Sequence, residues 1–220
     1  MRHVVKLLMS EFVTHDTKRF IFEKPEGFSV QPGQAALVAL NRPELEEDLH
    51  PFTPTSLADD GILEFTIKGY PSHHGLTEKL HQFVPGDELL IKGVYGAITH
   101  KGPGVFIAGG TGITPFIAIL RQLKKENRLE GNSLIFSNKT HADIILEREL
   151  RHDLGERCTF TLTRESRPGY ENRRIDEAYL KEKITDFTRE FYVCGPPDFV
   201  QGIALMLQNN GARASNVVFD

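Results

Sequence analysis

Apolar positions in the first hundred residues recur in short runs rich in β-branched and aromatic residues: 4–13, 17–23, 35–40, 63–70 and 89–94. Turn-forming clusters separate them, among them Lys24-Pro25-Glu26-Gly27, Gln31-Pro32-Gly33-Gln34, Asp59-Asp60-Gly61 and Pro85-Gly86-Asp87. Short strands at this spacing predict a small antiparallel barrel or sandwich. Leu76, Leu80 and Phe83 fit one helical face and predict a short helix over about 77–81. Beyond Lys101-Gly102-Pro103-Gly104 the rhythm changes. Strands are predicted at 105–108, 133–137, 158–163, 190–194 and 217–219, and helices at 115–125, 145–152, 177–184 and 197–209. Strand alternating with helix predicts a doubly wound α/β fold, a parallel sheet with helices on both faces. The predicted division is an all-β domain over 1–101 and an α/β domain over 102–220.

Composition narrows the function classes. The chain has 220 residues, 40% hydrophobic and 25% charged, as in ordinary globular proteins. A net charge of -4 argues against a nucleic-acid binder. Acidic residues outnumber basic ones over 1–101 and balance them over 102–220, which suits a nucleotide in the second half. No apolar run is long enough to span a bilayer. Lys6 breaks the first apolar stretch, which reads as a strand and not a signal peptide. Two cysteines, Cys158 and Cys194, fit a reducing cytoplasm and cannot ligate a four-cysteine iron–sulfur cluster. The adjacent pair His73 and His74 lacks metal-ligand spacing, so no metal site is expected.

The most informative segment is Gly109-Gly110-Thr111-Gly112-Ile113-Thr114-Pro115. An apolar strand enters a glycine turn and a helix leaves it, with Thr114 suited to the N-cap and Pro115 to the first helical position. Glycines let backbone N–H groups approach a ligand, and a helix start carries partial positive charge, so the turn is a candidate seat for a pyrophosphate. It is not a P-loop, since no Gly-Lys-Ser/Thr follows. The same turn would also serve as a plain strand-to-helix connection. Cys194-Gly195-Pro196-Pro197 falls on the same carboxyl edge of the sheet, where doubly wound folds bind nucleotides. A buried structural thiol is the alternative reading of Cys194. In the β domain, His50-Pro51-Phe52-Thr53 offers a stiffly held aromatic beside a hydroxyl, able to stack on a planar ring and bond its edge. A Pro-Thr-rich loop is the alternative there. Ile67-Lys68-Gly69-Tyr70 follows, and Gly75-Leu76-Thr77 is a second candidate phosphate seat.

These pieces, in this order and across nearly the whole chain, resemble the ferredoxin–NADP reductase superfamily, especially its flavodoxin-reductase and cytochrome-reductase branches. The resemblance implies a flavin-binding antiparallel barrel followed by a nicotinamide-nucleotide domain. It implies FAD, with FMN the lesser fit, and NAD(P)H as substrate. By resemblance Phe52 matches the tyrosine that stacks on the isoalloxazine, and Thr53 the hydroxyl near flavin N5. Ile67, Lys68 and Tyr70 belong to the strand along the flavin and its adenylate arm, and Gly75, Leu76 and Thr77 to the FAD pyrophosphate segment. Gly110, Thr111 and Gly112 correspond to the NAD(P) pyrophosphate turn. Cys194, with Gly195 and Pro196, lies beside the nicotinamide, and Phe219 or Asp220 takes the place of a terminal aromatic over the flavin.

Two departures stand out. The usual arginine before the stacking aromatic is His50 here, and histidine pairs with phosphate only when protonated. Flavin affinity is therefore expected to fall as pH rises unless another cation substitutes. The usual tyrosine is Phe52, which keeps the stacking face and loses a hydroxyl. Nucleotide preference stays open: Arg164 suits the 2′-phosphate of NADPH, whereas Glu165 beside it suits the free ribose of NADH. The implied function is a cytoplasmic, monomeric oxidoreductase that passes hydride from NAD(P)H to FAD. Single electrons then leave to a separate carrier such as flavodoxin, ferredoxin or an oxygenase component. A flavin reductase that releases its flavin, and a non-catalytic nucleotide-binding subunit, are the rival readings.

Overall fold

The computed structural model describes residues 2–70, 74–96, 98–214 and 217–219, the side chains of Val218 and Phe219 excepted. Among them, β1 (His3–Phe12), β2 (Thr17–Glu23), β3 (Ala35–Leu40), β4 (His50–Phe52), β5 (Ile62–Lys68) and β6 (Glu88–Tyr95) form one sheet. Its order is β4-β3-β6-β1-β2-β5, antiparallel throughout. Pro54, just past β4, bridges Phe65 of β5, so the two ends of the sheet meet and the strands close into a barrel. Phe20, Phe22, Phe65 and Leu40 fill its interior. Helix α1 (Leu76–His81) adds Leu76 and Leu80 to that core.

β4 was not expected. Two prolines flank or occupy it, which argues against a strand, but β4 lies at one end of the sheet, where a proline is tolerated. Its existence matters for function, because it fixes Pro51 and Phe52 against Leu37 and Ala36 of β3.

The second sheet is parallel, in the order β11-β10-β7-β8-β9. It comprises β7 (Gly104–Gly109), β8 (Ser133–Asn138), β9 (Cys158–Leu162), β10 (Glu190–Cys194) and β11 (Val217–Phe219). Helices α2 (Thr114–Lys125) and α3 (Glu147–Leu154) pack on one face with Phe106, Phe136 and Phe160. Helices α4 (Glu177–Lys183) and α5 (Pro197–Asn209) pack on the other with Ile107, Ile135 and Val193. Successive β7 residues thus serve opposite cores, as the alternation of a strand requires. Helix α3 begins later than periodicity suggested. Ile144 and Ile145 are apolar because they enter the core from a bend, and Leu146 takes a left-handed backbone (φ 53°) before the helix starts.

Strand order reverses beside β7: β8 and β9 lie to one side, β10 and β11 to the other. The carboxyl ends of β7 and β10 therefore flank a crevice, with Ala108 paired to Cys194. That switch point is where open α/β sheets bind ligands.

Candidate active site

The glycine turn after β7 is a short 3-10 helix, Gly110–Ile113, that runs directly into α2. Thr114 is the first helical residue instead of the cap, and its hydroxyl donates to the Thr111 carbonyl at 3.1 Å. The glycines divide their work. Gly110 has φ +54° with open space where a Cβ would project, so its backbone faces the crevice. Gly112 is buried, and a Cβ on it would lie 2.3 Å from the Cys194 carbonyl oxygen. Gly195 likewise has no room, with Phe199 at 2.8 Å and Gly109 Cα at 3.2 Å. Gly112 and Gly195 thus let the two turns touch, and neither lines the two cavities that adjoin them.

Two cavities open at the junction of barrel and parallel sheet. One, of about 210 Å³, lies over the strand ends and is lined by Gly109, Gly110, Thr111, Ser137, Lys139, Thr163, Pro196 and Phe199. The other, of about 220 Å³, brings Pro51, Phe52, Thr53, Thr66, Ile67, Lys68, Tyr70 and Thr77 of the barrel against Thr111, Thr114, Pro115 and Cys194. Lys68 and Thr111 line both, so the two cavities adjoin. Together they reach the roughly 300–1,000 Å³ typical of small-molecule sites.

The structure therefore gathers most of the expected residues and sets others aside. Gly75 caps α1 outside the cavity, and Leu76 is a core residue, so only Thr77 of that segment lines the wall. His50 does not line the cavity; its Nε2 lies 3.0 Å from the Asp48 carboxylate. The cation that lines both cavities is Lys68, whose Nζ pairs with Asp16 at 2.5 Å. Burial opposes the charge on Asp16, but Lys68 and two threonine hydroxyls outweigh it and hold that carboxyl below its ordinary value. Arg164 is exposed and outside the lining, while its neighbour Thr163 and Lys139 line the cavity over the strand ends. Glu165 is committed elsewhere: it accepts the His141 N–H at 2.7 Å and lies 3.6 Å from Arg167. Cys194 is half-buried on the cavity wall, whereas burial pushes the Cys158 thiol up to about 12 and makes it inert. Phe219 extends β11 beside Val193, but its side chain, Asp220 and His73 lie outside the described residues.

Sequence reasoning missed the contacts between the lobes. Arg121 of α2 donates to Thr55 O and Glu64 Oε1, both at 2.7 Å, and grips Glu149 at 2.6 and 2.9 Å. His15 Nδ1 also lies 3.3 Å from Ala142 O. Partners 57 to 127 residues apart leave no local pattern to read.

The family model of the oxidoreductase FAD-binding domain matches residues 4–100, and that of the oxidoreductase NAD-binding domain matches residues 106–204. An NADH-cytochrome b5 reductase 2 of Aspergillus oryzae is 32% identical, over 91% of this chain and 68% of its own length. The chain belongs to the ferredoxin–NADP reductase superfamily. A second superfamily relative, the NADH-cytochrome b5 reductase 2 of Botryotinia fuckeliana, is also 32% identical over 91% of the chain, which spans 63% of that relative's length. Among solved superfamily structures, the fold matches a ferredoxin NADP+ reductase from Neisseria gonorrhoeae with bound FAD and NADP. The TM-score is 0.86 at 20% identity, over 100% of this chain and 98% of the other. The barrel followed by a parallel sheet is the superfamily fold. FAD and a nicotinamide nucleotide are its ligands. The residues present fit them. Phe52 and Pro51 give a flat wall, five threonines line the same cavity and suit a polar ring edge, and Gly110 leaves its backbone open to a phosphate. No described helix is long and apolar enough to cross a membrane.

Proposed function

We propose that this chain is an NADH-driven flavoprotein reductase of the cytochrome b5 reductase kind. It passes electrons from NADH through FAD to a one-electron haem carrier. The observation that carries the reading is the shared wall of the two cavities, where Lys68 and Thr111 serve both. The relatives' names support cytochrome b5 as the carrier, in place of the flavodoxin or ferredoxin expected from the sequence. They also support NADH as the reductant.

Bound flavin supplies the conversion of a two-electron donor into one-electron steps. The chain's own residues orient and enclose. Phe52 holds a ring face, with Pro51 stiffening it. Thr53 and Thr66 present hydroxyls to the same cavity, each able to donate or accept. Gly110 and Thr111 offer backbone N–H groups at the start of a helix, where partial positive charge suits a pyrophosphate. Cys194 lines the flavin cavity from the nucleotide lobe and would offer a small side chain where a nicotinamide approaches a flavin. Alignment of the reacting centres is the main lever such a site has.

Purified protein reconstituted with FAD should be yellow, lose its colour with NADH and reduce cytochrome b5 catalytically. NADPH should be poorer by about tenfold, or about 1.4 kcal/mol. Loss of the flavin on dialysis would favour the flavin-as-substrate reading. A colourless protein after reconstitution would refute the proposal.

A further inference from the structure

We infer that Arg121 is the positioning residue that sets the gap between the two lobes' halves of the active-site cavity. The inference rests on the flavin–nicotinamide reading above. Arg121 lies on the same helix as Thr114 and Pro115, about 10 Å along its axis from Thr114. Those two residues wall the flavin cavity from the nucleotide side. A guanidinium on that helix therefore controls where the wall stands.

Its bonds reach the opposite wall. Nη1 donates to the Thr55 carbonyl and to Glu64 Oε1, both at 2.7 Å. Thr55 follows Thr53 by two positions and is fully buried. Its hydroxyl donates to Glu64 Oε1 at 2.7 Å and lies 3.2 Å from the Thr66 hydroxyl. Its N–H donates to the Glu64 carbonyl at 2.8 Å. Thr53 and Thr66 both line the flavin cavity. The remaining edge of the guanidinium stays in its own lobe, where Nε and Nη2 hold both oxygens of Glu149 on α3. One planar group thus fastens the two cavity walls at fixed directions.

Charge balance alone does not explain the arrangement. Glu64 is nearly buried, its side chain 7% exposed, and Arg19 already stands 3.7 Å from its other oxygen. What Arg121 adds is the fork, which a lysine cannot reproduce. The Lys125–Asp59 pair also links the lobes, but both side chains are largely exposed, so solvent screens it.

The test compares Arg121→Lys, which keeps the charge and loses the fork, with Arg121→Met, which loses both. Spin labels at Glu23→Cys and Gln201→Cys, exposed positions on the two lobes, report the distance between them in the full chain. The measurement is made with and without FAD in a Cys194→Ser background. The parent should give one narrow distance distribution, and both Arg121 variants a broadened one, with lysine no better than methionine. In chains that retain Cys194, flavin reduction by NADH should slow about 10- to 100-fold while the NADH Kd changes less than about twofold. Thermal stability should recover with lysine. A lysine variant with the parent's distances and rate would overturn the inference and leave Arg121 as a counter-charge for Glu64. Should the methionine variant fail to fold, the lysine variant decides. A parent that NADH does not reduce would refute the functional reading, while the distances would still decide the role of Arg121.

Discussion

Thr111 and Phe52 line the same cavity from opposite lobes and are held there by different means. Thr111 sits in a turn shaped by backbone contact: Gly112 and Gly195 have no room for a side chain, and the turns of β7 and β10 touch through them. Phe52 sits on an end strand, and the rest of its wall comes from β5 and α1, brought together by sheet closure. The nucleotide half should therefore fail abruptly when a single methyl is added. The flavin half should lose function in steps while the fold survives.

Gly112→Ala gives the largest effect. Its Cβ would stand 2.3 Å from the Cys194 carbonyl, so the turns must separate. Overpacking of this kind should cost about 3 kcal/mol, read from urea unfolding, and abolish flavin reduction by NADH. Gly110→Ala is the control for fold stability alone: its Cβ meets open space, so unfolding should show only the left-handed backbone penalty of about 1–2 kcal/mol. Equal losses of unfolding stability for the two would break the contrast.

Thr53→Ala is expected to slow flavin reduction about 10- to 100-fold, seen in single turnover, with unfolding changed by less than about 1 kcal/mol. Cys194→Ala should slow the same step while NADH binding holds. Wild-type single-turnover rates in either variant would remove that residue from the reactive geometry. Phe52→Leu should weaken FAD binding by about tenfold, through loss of a stacking face, and Phe52→Tyr should restore it. Titration of apoprotein with FAD decides between them.

The smallest effect concerns pH. Burial holds the His81 ring below its ordinary pKa of 6.5, even though its bond to the Ile67 carbonyl (2.9 Å) works the other way. Burial likewise lowers His100. As pH falls the unfolded chain takes up these protons first, so stability is fully present above 6.5 and declines below it toward the folded-state values. The Tm should drop between about pH 7.5 and about pH 5.5, and the double change His81→Gln with His100→Gln should flatten that slope. An unchanged slope in the double variant would show that other groups set it.

The contrast between the lobes also explains what the sequence made legible. The glycine turn and the Cys194-Gly195-Pro196 turn are contiguous, and their chemistry is backbone chemistry, so both could be read locally. What could not be read was that Gly112 and Gly195 face each other and leave Gly110 and Thr111 to the crevice. The barrel wall is assembled from segments far apart in the chain, so Phe52, Thr53 and Thr77 read locally only as a stiff aromatic, a hydroxyl and a candidate phosphate seat, and the family resemblance is what ties them and Lys68 to one ligand. His50 and Leu76 lie outside the cavity lining, and neither the pull of Asp48 nor the demand of the barrel core is visible in a motif. Arg121 carries no local signal of its role, since Glu64 and Glu149 lie 57 and 28 residues away.

The most direct test of the shared cavity is anaerobic mixing of the FAD-loaded chain with NADH while flavin absorbance is followed. Adjoining cavities predict rapid bleaching in the parent and none in Gly112→Ala under the same conditions. A parent that binds both FAD and NADH yet keeps its absorbance would contradict the account.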